Sequence, residues 1–103
     1  MKYQIKIYQI KKDENLQRKF LFTKLSWLEN GIKDVDINNY NMVYKNEFND
    51  AIHNDIDSVL ETIYNIFNVS RPEDFKGHSL SISDIIEVDG DKYFVNDYGF
   101  VKL

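Results

Sequence analysis

The sequence predicts a small α+β fold, in which an antiparallel sheet of four to five strands carries one main amphipathic helix and ends in a C-terminal β-hairpin. Three observations predict it. Two β-rich runs, residues 83–88 and 92–98, flank the dipeptide Asp89-Gly90, which is typical of a hairpin turn. Residues 56–67 repeat apolar side chains at helical spacing. Residues 3–10 alternate in the manner of a half-buried strand.

Length and composition indicate one folded domain, residues 1–103, with 43% hydrophobic and 15% aromatic residues. The chain has no cysteine, which excludes a disulfide framework and a thiolate zinc site. No apolar run approaches the roughly 18 residues that span a bilayer, and the first residues do not resemble a signal peptide. We therefore expect a cytosolic protein without a membrane partner.

The first strand is expected at residues 3–10, with Tyr3, Ile5 and Ile7 on one face. Residues 11–15 are polar and are expected to form a loop. The alternation of Phe20 and Phe22 around Leu21 favours a second strand at residues 18–23. The two would form a basic first hairpin.

A short helical turn is expected next, with Ser26 and Glu29 as its capping box and Asn30-Gly31 as its stop. The turn would bury Trp27 or Leu28, and the single tryptophan is interpreted as a core or lid residue. Residues 34–41 are rich in turn formers. Residues 42–44 then predict a short strand that ends near Glu47 and, given its polar surroundings, lies at the sheet edge.

The main helix is predicted from an apolar stripe at i, i+3, i+4, i+7, i+8 and i+11: Ile56, Val59, Leu60, Ile63, Tyr64 and Phe67. Asn54 or Asp55 is expected as its N-cap and Asn68 as its stop. Residues 72–77 then connect the helix to the hairpin, with Phe75 docked on the core. The hairpin is expected to bury one face and to present aromatic side chains on the other.

Motifs for catalysis or metal binding are weak. His53 and His78 lack ligand spacing, the four glycines are isolated, and Ser79, Ser81 and Ser83 lack a nucleophile elbow. The sequence therefore predicts no catalytic residue, cofactor or metal. A nuclease trio of His78, Asp84 and Glu87 rests on sequence proximity alone. We expect the Asp84 carboxylate instead to accept hydrogen bonds from nearby backbone amides.

Charge is distributed unevenly along a chain whose net charge is −4. Residues 46–70 contain no Lys or Arg, but carry Glu47, Asp50, Asp55, Asp57 and Glu61. Such carboxylates along a helix can imitate phosphates in a basic groove. We take Glu47, Asp50, Asp57 and Glu61 as candidate partner-binding residues, although a solvated helix face is the simpler interpretation.

A second candidate surface is basic and aromatic. Its cations are Lys2, Lys6, Lys11, Lys12, Arg18, Lys19 and Lys24, interleaved with Tyr3, Tyr8 and Phe20. Positive side chains beside exposed rings suit RNA, although the pI of about 5.1 argues against strong non-specific binding. Its candidate partner-binding residues are Lys6, Lys11, Lys12, Arg18 and Lys19. The choice between the two surfaces stays open.

The last third of the chain, HSLSISDIIEVDGDKYFVNDYGFVKL, resembles the C-terminal signature of the YodL-like domain family. The matching positions are Ser83, Asp84, Ile85, Tyr93 or Phe94, Val95, Gly99, Phe100 and Leu103. The opening MKYQIKIYQIK and the middle NYNMVYKNEF are similar to the family's first two strands. Such domains are typical of plasmids, integrative elements and phages of Gram-positive bacteria.

The resemblance implies a non-enzymatic anti-defence protein in the cytoplasm of a bacterial host, because some short type II-A anti-CRISPR proteins look like this family. The implied partner is Cas9 or its guide RNA complex. The alternatives are a host-modulating protein-interaction domain and a nuclease that processes guide RNA. The aromatic excess and open sheet edges also allow a homodimer.

Overall fold

A computed structural model describes residues 2–50 and 55–103. Five antiparallel strands form one sheet in the order β2-β1-β3-β4-β5. They are β1 (Lys2–Ile10), β2 (Tyr40–Asn49), β3 (Ile85–Val88), β4 (Asp91–Val95) and β5 (Phe100–Lys102). The helices are α1 (Glu14–Phe20) and α2 (Ile56–Val69), and three 3-10 turns lie at Leu25–Trp27, Gly31–Asp34 and Ile37–Asn39. The predicted α+β class is confirmed.

Helix α2 covers one face of the sheet, which we call the helix face. Its buried side chains are Val59, Leu60, Ile63 and Phe67, and they pack on Tyr3, Ile5 and Ile7 of β1 and on Ile86 and Val88 of β3. Each large apolar side chain buried in this way contributes roughly 1.5–3 kcal/mol. The predicted stripe is therefore confirmed as core, except that Ile56 remains 37% exposed.

The ends of α2 follow from local hydrogen bonding. The Asp55 side chain accepts from the Ser58 amide at 3.0 Å, which confirms Asp55 as an N-cap. Asn54, the alternative cap, and His53 lie outside the described residues. The helix runs one residue past the predicted stop at Asn68 and is capped by Ser70. Phe75 docks on the core as expected, with its ring centroid 4.8 Å from that of Phe67.

The predicted strand at residues 18–23 is wrong, because residues 14–20 form α1. The Asp13 side chain caps it by accepting from the Leu16 amide at 3.0 Å. Leu16 and Phe20, four residues apart, share one helical face and pack on a second apolar cluster of Ile10, Tyr40 and Ile85. The basic first hairpin is consequently absent, and β1 pairs with the distant β2 and β3.

The second face of the sheet, which we call the open face, is covered only in part. Alternation along β1 places Tyr8 and Ile10 on it; Ile10 belongs to the second apolar cluster, and Tyr8 packs against that cluster. Phe94 is 1% exposed, so the hairpin buries side chains on both faces rather than on the one expected. The Asp89-Gly90 turn is confirmed, with φ of 49° and 91°, as a type I′ turn requires.

The segment after α1 departs most from prediction. Leu25–Trp27 is a 3-10 turn without a side-chain cap, so the capping box of Ser26 and Glu29 is wrong. Trp27 is 67% exposed and is not a core residue, whereas Leu28 is half-buried. Strand β2 is longer than predicted but lies at the sheet edge as expected.

Candidate binding surfaces

The acidic residues do not form one continuous strip. Asp57 and Glu61 lie one turn apart on α2 and are both exposed. Glu47 is paired with Gln4 in the sheet register, on the open face, and contacts the Lys2 ammonium at 3.6 Å. Asp50 is only 6% exposed, so it contributes little to any surface. The predicted acidic surface therefore reduces to Asp57 and Glu61, with Asp55 engaged as the helix cap.

Lys6 belongs to an ion-pair network on the open face. Its ammonium lies 3.5 Å from the Glu87 carboxylate, Lys92 lies 3.2 Å from the same carboxylate, and the Tyr8 hydroxyl donates to it at 3.1 Å. Burial disfavours ionisation of Glu87, but the bonds from Lys92 and Tyr8 and the charge of Lys6 outweigh it and lower its pKa. Lys6 therefore neutralises a buried acid and is not a free contact for a partner.

The other basic candidates lie in and just before α1. Lys11 and Lys12 precede α1, and Arg18 and Lys19 form its last turn. All four are exposed. Arg18 is paired with Glu14 at 2.9 Å, a surface ion pair of low energy. Lys11, Lys12, Arg18 and Lys19 thus belong to one exposed stretch around α1, whereas Lys6 lies on β1.

Exposed aromatic side chains continue this surface. Phe22 is 52% exposed and Trp27 is 67% exposed. The Lys24 ammonium lies 4.9 Å from the centroid of the Trp27 ring and 3.5 Å from the Asp97 carboxylate. We call residues 11–28 the basic-aromatic segment. It carries five cationic and two acidic side chains, a contrast with the acidic chain as a whole.

Two backbone contacts attach this segment to the hairpin. The Leu25 amide donates to the Asn96 side chain at 3.0 Å, and the Phe22 amide donates to the Ser83 hydroxyl at 3.0 Å. Phe22 has a φ of 59°, which is costly for a bulky residue and persists where the surroundings enforce it. The exposed rings are therefore held by a defined framework. Sequence reasoning missed them because tryptophan is usually buried.

The proposed trio of His78, Asp84 and Glu87 does not converge. The Asp84 carboxylate accepts from the Gln9 amide group at 3.0 Å, and Gln9 alternates with Ile5 and Ile7 on the helix face. Glu87 points to the open face, where it contacts Lys6 and Lys92. The two carboxylates thus lie on opposite sides of the sheet. Within residues 2–50 and 55–103, no cluster of three or more metal-ligating side chains occurs.

Asp84 is a buried carboxyl group at the start of β3. Its Oδ2 accepts from the Ser81 amide at 2.9 Å, which agrees with the predicted role. Its Oδ1 is buried and has no hydrogen-bond partner within the described part of the chain. Burial raises the pKa of Asp84 to about 7, although the bonds from Ser81 and Gln9 act in the other direction.

The sequence was compared with models of known protein families. The sequence model of the YodL-like domain matches residues 4–103. The chain belongs to the YodL-like domain family. No curated protein and no solved structure matches it. Among the described residues of this YodL-like domain, no helix has both the length and the apolar character needed to cross a membrane.

The signature residues of the YodL-like domain have structural surroundings. Ser83 has a φ of 85° and accepts at its carbonyl from the Tyr40 hydroxyl at 2.6 Å. Val95 is 3% exposed. Gly99, with a φ of 76°, closes the β4–β5 turn through a bond from the Asn96 amide to its carbonyl. These residues of the signature shape the C-terminal hairpin and the segment that leads into it. Their role is therefore structural.

Proposed function

We propose that the chain is a non-enzymatic anti-defence protein of a phage or mobile element that inhibits Cas9 by binding the nuclease or its guide RNA complex. Membership of the YodL-like family supports the proposal in general terms. The choice of Cas9 comes from the resemblance of the sequence to short type II-A anti-CRISPR proteins. The contact itself is argued from the surface of the molecule.

The basic-aromatic segment carries the proposal. Four exposed cations, Lys11, Lys12, Arg18 and Lys19, flank or belong to α1, and the exposed rings of Phe22 and Trp27 follow it in the same segment. Cations attract the phosphate backbone of RNA, and exposed rings stack on unpaired bases or anchor a protein contact. Asp57 and Glu61 of α2 provide only two carboxylates for a phosphate mimic. We therefore favour the basic-aromatic segment as the contact, and its target as the guide RNA within the complex.

A Cas9 cleavage assay tests the proposal. Purified protein added to guide-loaded Cas9 should reduce target cleavage, and Trp27→Ala should weaken the inhibition about tenfold, as loss of an interface anchor does. Val69→Ala is the matched control, because Val69 is an exposed apolar residue at the end of α2. Full cleavage in the presence of excess protein would refute the proposal. Equal loss in the two variants would exclude Trp27 as an anchor.

Guide RNA analysis separates this function from the alternatives. A gel shift with free guide RNA should show binding, and the guide should remain intact after incubation with or without a chelator. Shortening of the guide RNA that a chelator prevents would favour the nuclease alternative. Binding of a host protein without any effect on Cas9 would favour the host-modulating interaction domain.

A further inference from the structure

A cleft of about 300 Å³ lies beside the basic-aromatic segment. It is lined by β1, β2, α1 and the connector before the hairpin. Its polar side chains are those of Gln9, Lys12, Gln17, Asn41, Lys76 and His78. None of the described residues that line it is Asp or Glu, although the chain has 17 acidic residues against 13 Lys and Arg. The cleft is therefore locally positive on an acidic protein.

Two lysine side chains of this cleft form no ion pair with the described residues. Lys12 and Lys76 are exposed, and neither has an ion-pair partner among the residues that the structure describes. Lys24, Lys92 and Lys102, by contrast, each contact a carboxylate. An anion in the cleft would therefore pair with Lys12 and Lys76 without breaking an existing ion pair.

The floor of the cleft is a fixed framework. The Gln9 side chain accepts from the His78 amide at 3.1 Å and donates to the His78 carbonyl at 2.9 Å. No side chain fits at Gly77, because a Cβ there would lie 2.0 Å from Gln9 Oε1. The Nδ1 of His78 lies 2.8 Å from the Ser79 carbonyl oxygen and 3.3 Å from Gln9 Nε2, so this ring nitrogen belongs to the same framework. The other ring nitrogen has no partner within the described residues.

An aromatic ring borders the cleft. The centroid of the Phe22 ring lies 5.6 Å from that of His78, at an interplanar angle of 69°. Phe22 remains 52% exposed, so a face of a planar ligand can pack on it. The hydrogen bond from the Phe22 amide to the Ser83 hydroxyl holds the backbone that carries this ring.

We propose that this cleft binds the phosphate of a nucleotide, with Lys12, Lys76 and His78 around the phosphate and Phe22 against the base. The volume of the cleft is at the lower end of the range for ligand sites, which suits one phosphate and its sugar better than a larger ligand. The phosphate could belong to a free nucleotide or to one residue of an RNA strand. The identification of the strand bound in the cell as guide RNA rests on the proposed function.

Calorimetric titration of the isolated protein tests the inference. The probes are inorganic phosphate, adenosine 5′-monophosphate, and a short single-stranded RNA with and without a 5′-phosphate. We expect the combined Lys12→Ala and Lys76→Ala variant to lose at least about tenfold in affinity for the phosphorylated probes. Phe22→Ala should weaken nucleotide binding but leave inorganic phosphate binding unchanged. The nucleotide and the strand are distinguished by which of them binds more tightly.

The matched control combines Lys2→Ala with Lys33→Ala, which removes the same charge at exposed positions outside the cleft. An equal loss in this control would show non-specific charge attraction and overturn the inference. Absence of binding for every probe at millimolar concentration would also overturn it. Because Cas9 is absent from this experiment, its failure is distinct from failure of the inhibitor proposal.

Discussion

At the scale of single residues, Asp84 is a carboxyl group that is shielded from solvent. Its carboxyl group is fully buried, and one of its oxygens lacks a partner among the described residues. Burial raises its pKa from 3.8 to about 7. Between these values the folded protein binds more protons at Asp84 than the unfolded chain does. The contribution of Asp84 to stability therefore falls as the pH rises through this interval.

Substitution Asp84→Asn should remove this dependence. The amide preserves the shape of the side chain and an acceptor for Gln9 and Ser81, but it does not ionise. The pKa of about 7 against 3.8 corresponds to roughly 4 kcal/mol of lost stability between about pH 4 and pH 8. Urea unfolding at several pH values should show a flatter profile for the variant. An unchanged profile would contradict the burial argument.

The pKa of Glu87 is shifted in the opposite direction from that of Asp84. The effects of the two carboxyl groups on stability can therefore be distinguished by pH. The pKa of Glu87 lies below 4.5 because the bonds from Lys92 and Tyr8 and the charge of Lys6 outweigh the cost of burial. Its contribution to stability is present above the unfolded pKa and is lost as the pH falls through the folded value. The Asp84 effect therefore occurs mainly above the interval in which Glu87 titrates.

At the scale of elements, α2 provides the apolar layer over the helix face. Leu60 and Ile63 are fully buried between the helix and the sheet. Their contacts join residues distant in sequence, including β1 and β3. The packing of α2 therefore contributes directly to the stability of the sheet.

We expect Leu60→Asp to unfold the domain, because the loss of a buried leucine together with the burial of an unpaired carboxyl group costs a large part of the roughly 5–15 kcal/mol by which domains are stable. Circular dichroism and thermal melting would measure the loss. Glu61→Ala, at the neighbouring exposed position, should change the melting temperature little. A Leu60→Asp variant with the wild-type melting temperature would refute the assignment of this helix to the core.

Helix α1 shows how a short element can be misread. Phe20 and Phe22 alternate like strand residues, but Leu16 and Phe20 also fit a helical spacing. The helical alternative prevails because Asp13 caps the first turn and Leu16 and Phe20 can both reach the second apolar cluster. A helix of seven residues leaves too short a pattern to decide between the periods.

At the scale of the whole molecule, charge is divided between surfaces. Lys11, Lys12, Arg18 and Lys19 lie in and just before α1, whereas Asp57 and Glu61 are exposed on α2. Exposed charges on different helices can be reversed one pair at a time without disturbing the core. This permits a direct comparison of the two candidate contacts.

Charge reversal should distinguish them. Lys12→Glu combined with Lys19→Glu should abolish Cas9 inhibition, because it places negative charge opposite RNA phosphates. Asp57→Lys combined with Glu61→Lys should leave inhibition intact and serves as the control. Inhibition by the wild-type protein should also weaken steeply as salt is raised. If the acidic pair alone abolishes inhibition, the phosphate-mimic interpretation is correct and the basic contact is wrong.

The sequence by itself determined the α+β class, the apolar face of α2, the edge position of β2 and the Asp89-Gly90 turn. These features depend on periodicity and on turn geometry, which are local properties of the chain. The role of Asp84 as an acceptor for backbone amides was also predictable, because Ser81 lies only three residues away.

Only the tertiary structure decided which charges share a surface. Asp50 is buried, Lys6 neutralises Glu87, and Glu47 lies on the open face with Lys2. The exposure of Trp27 and the cleft around Lys12, Lys76 and His78 likewise depend on how distant segments pack. The physical reason is that surface composition follows from long-range strand pairing, whereas a sequence pattern reports only the faces of individual elements.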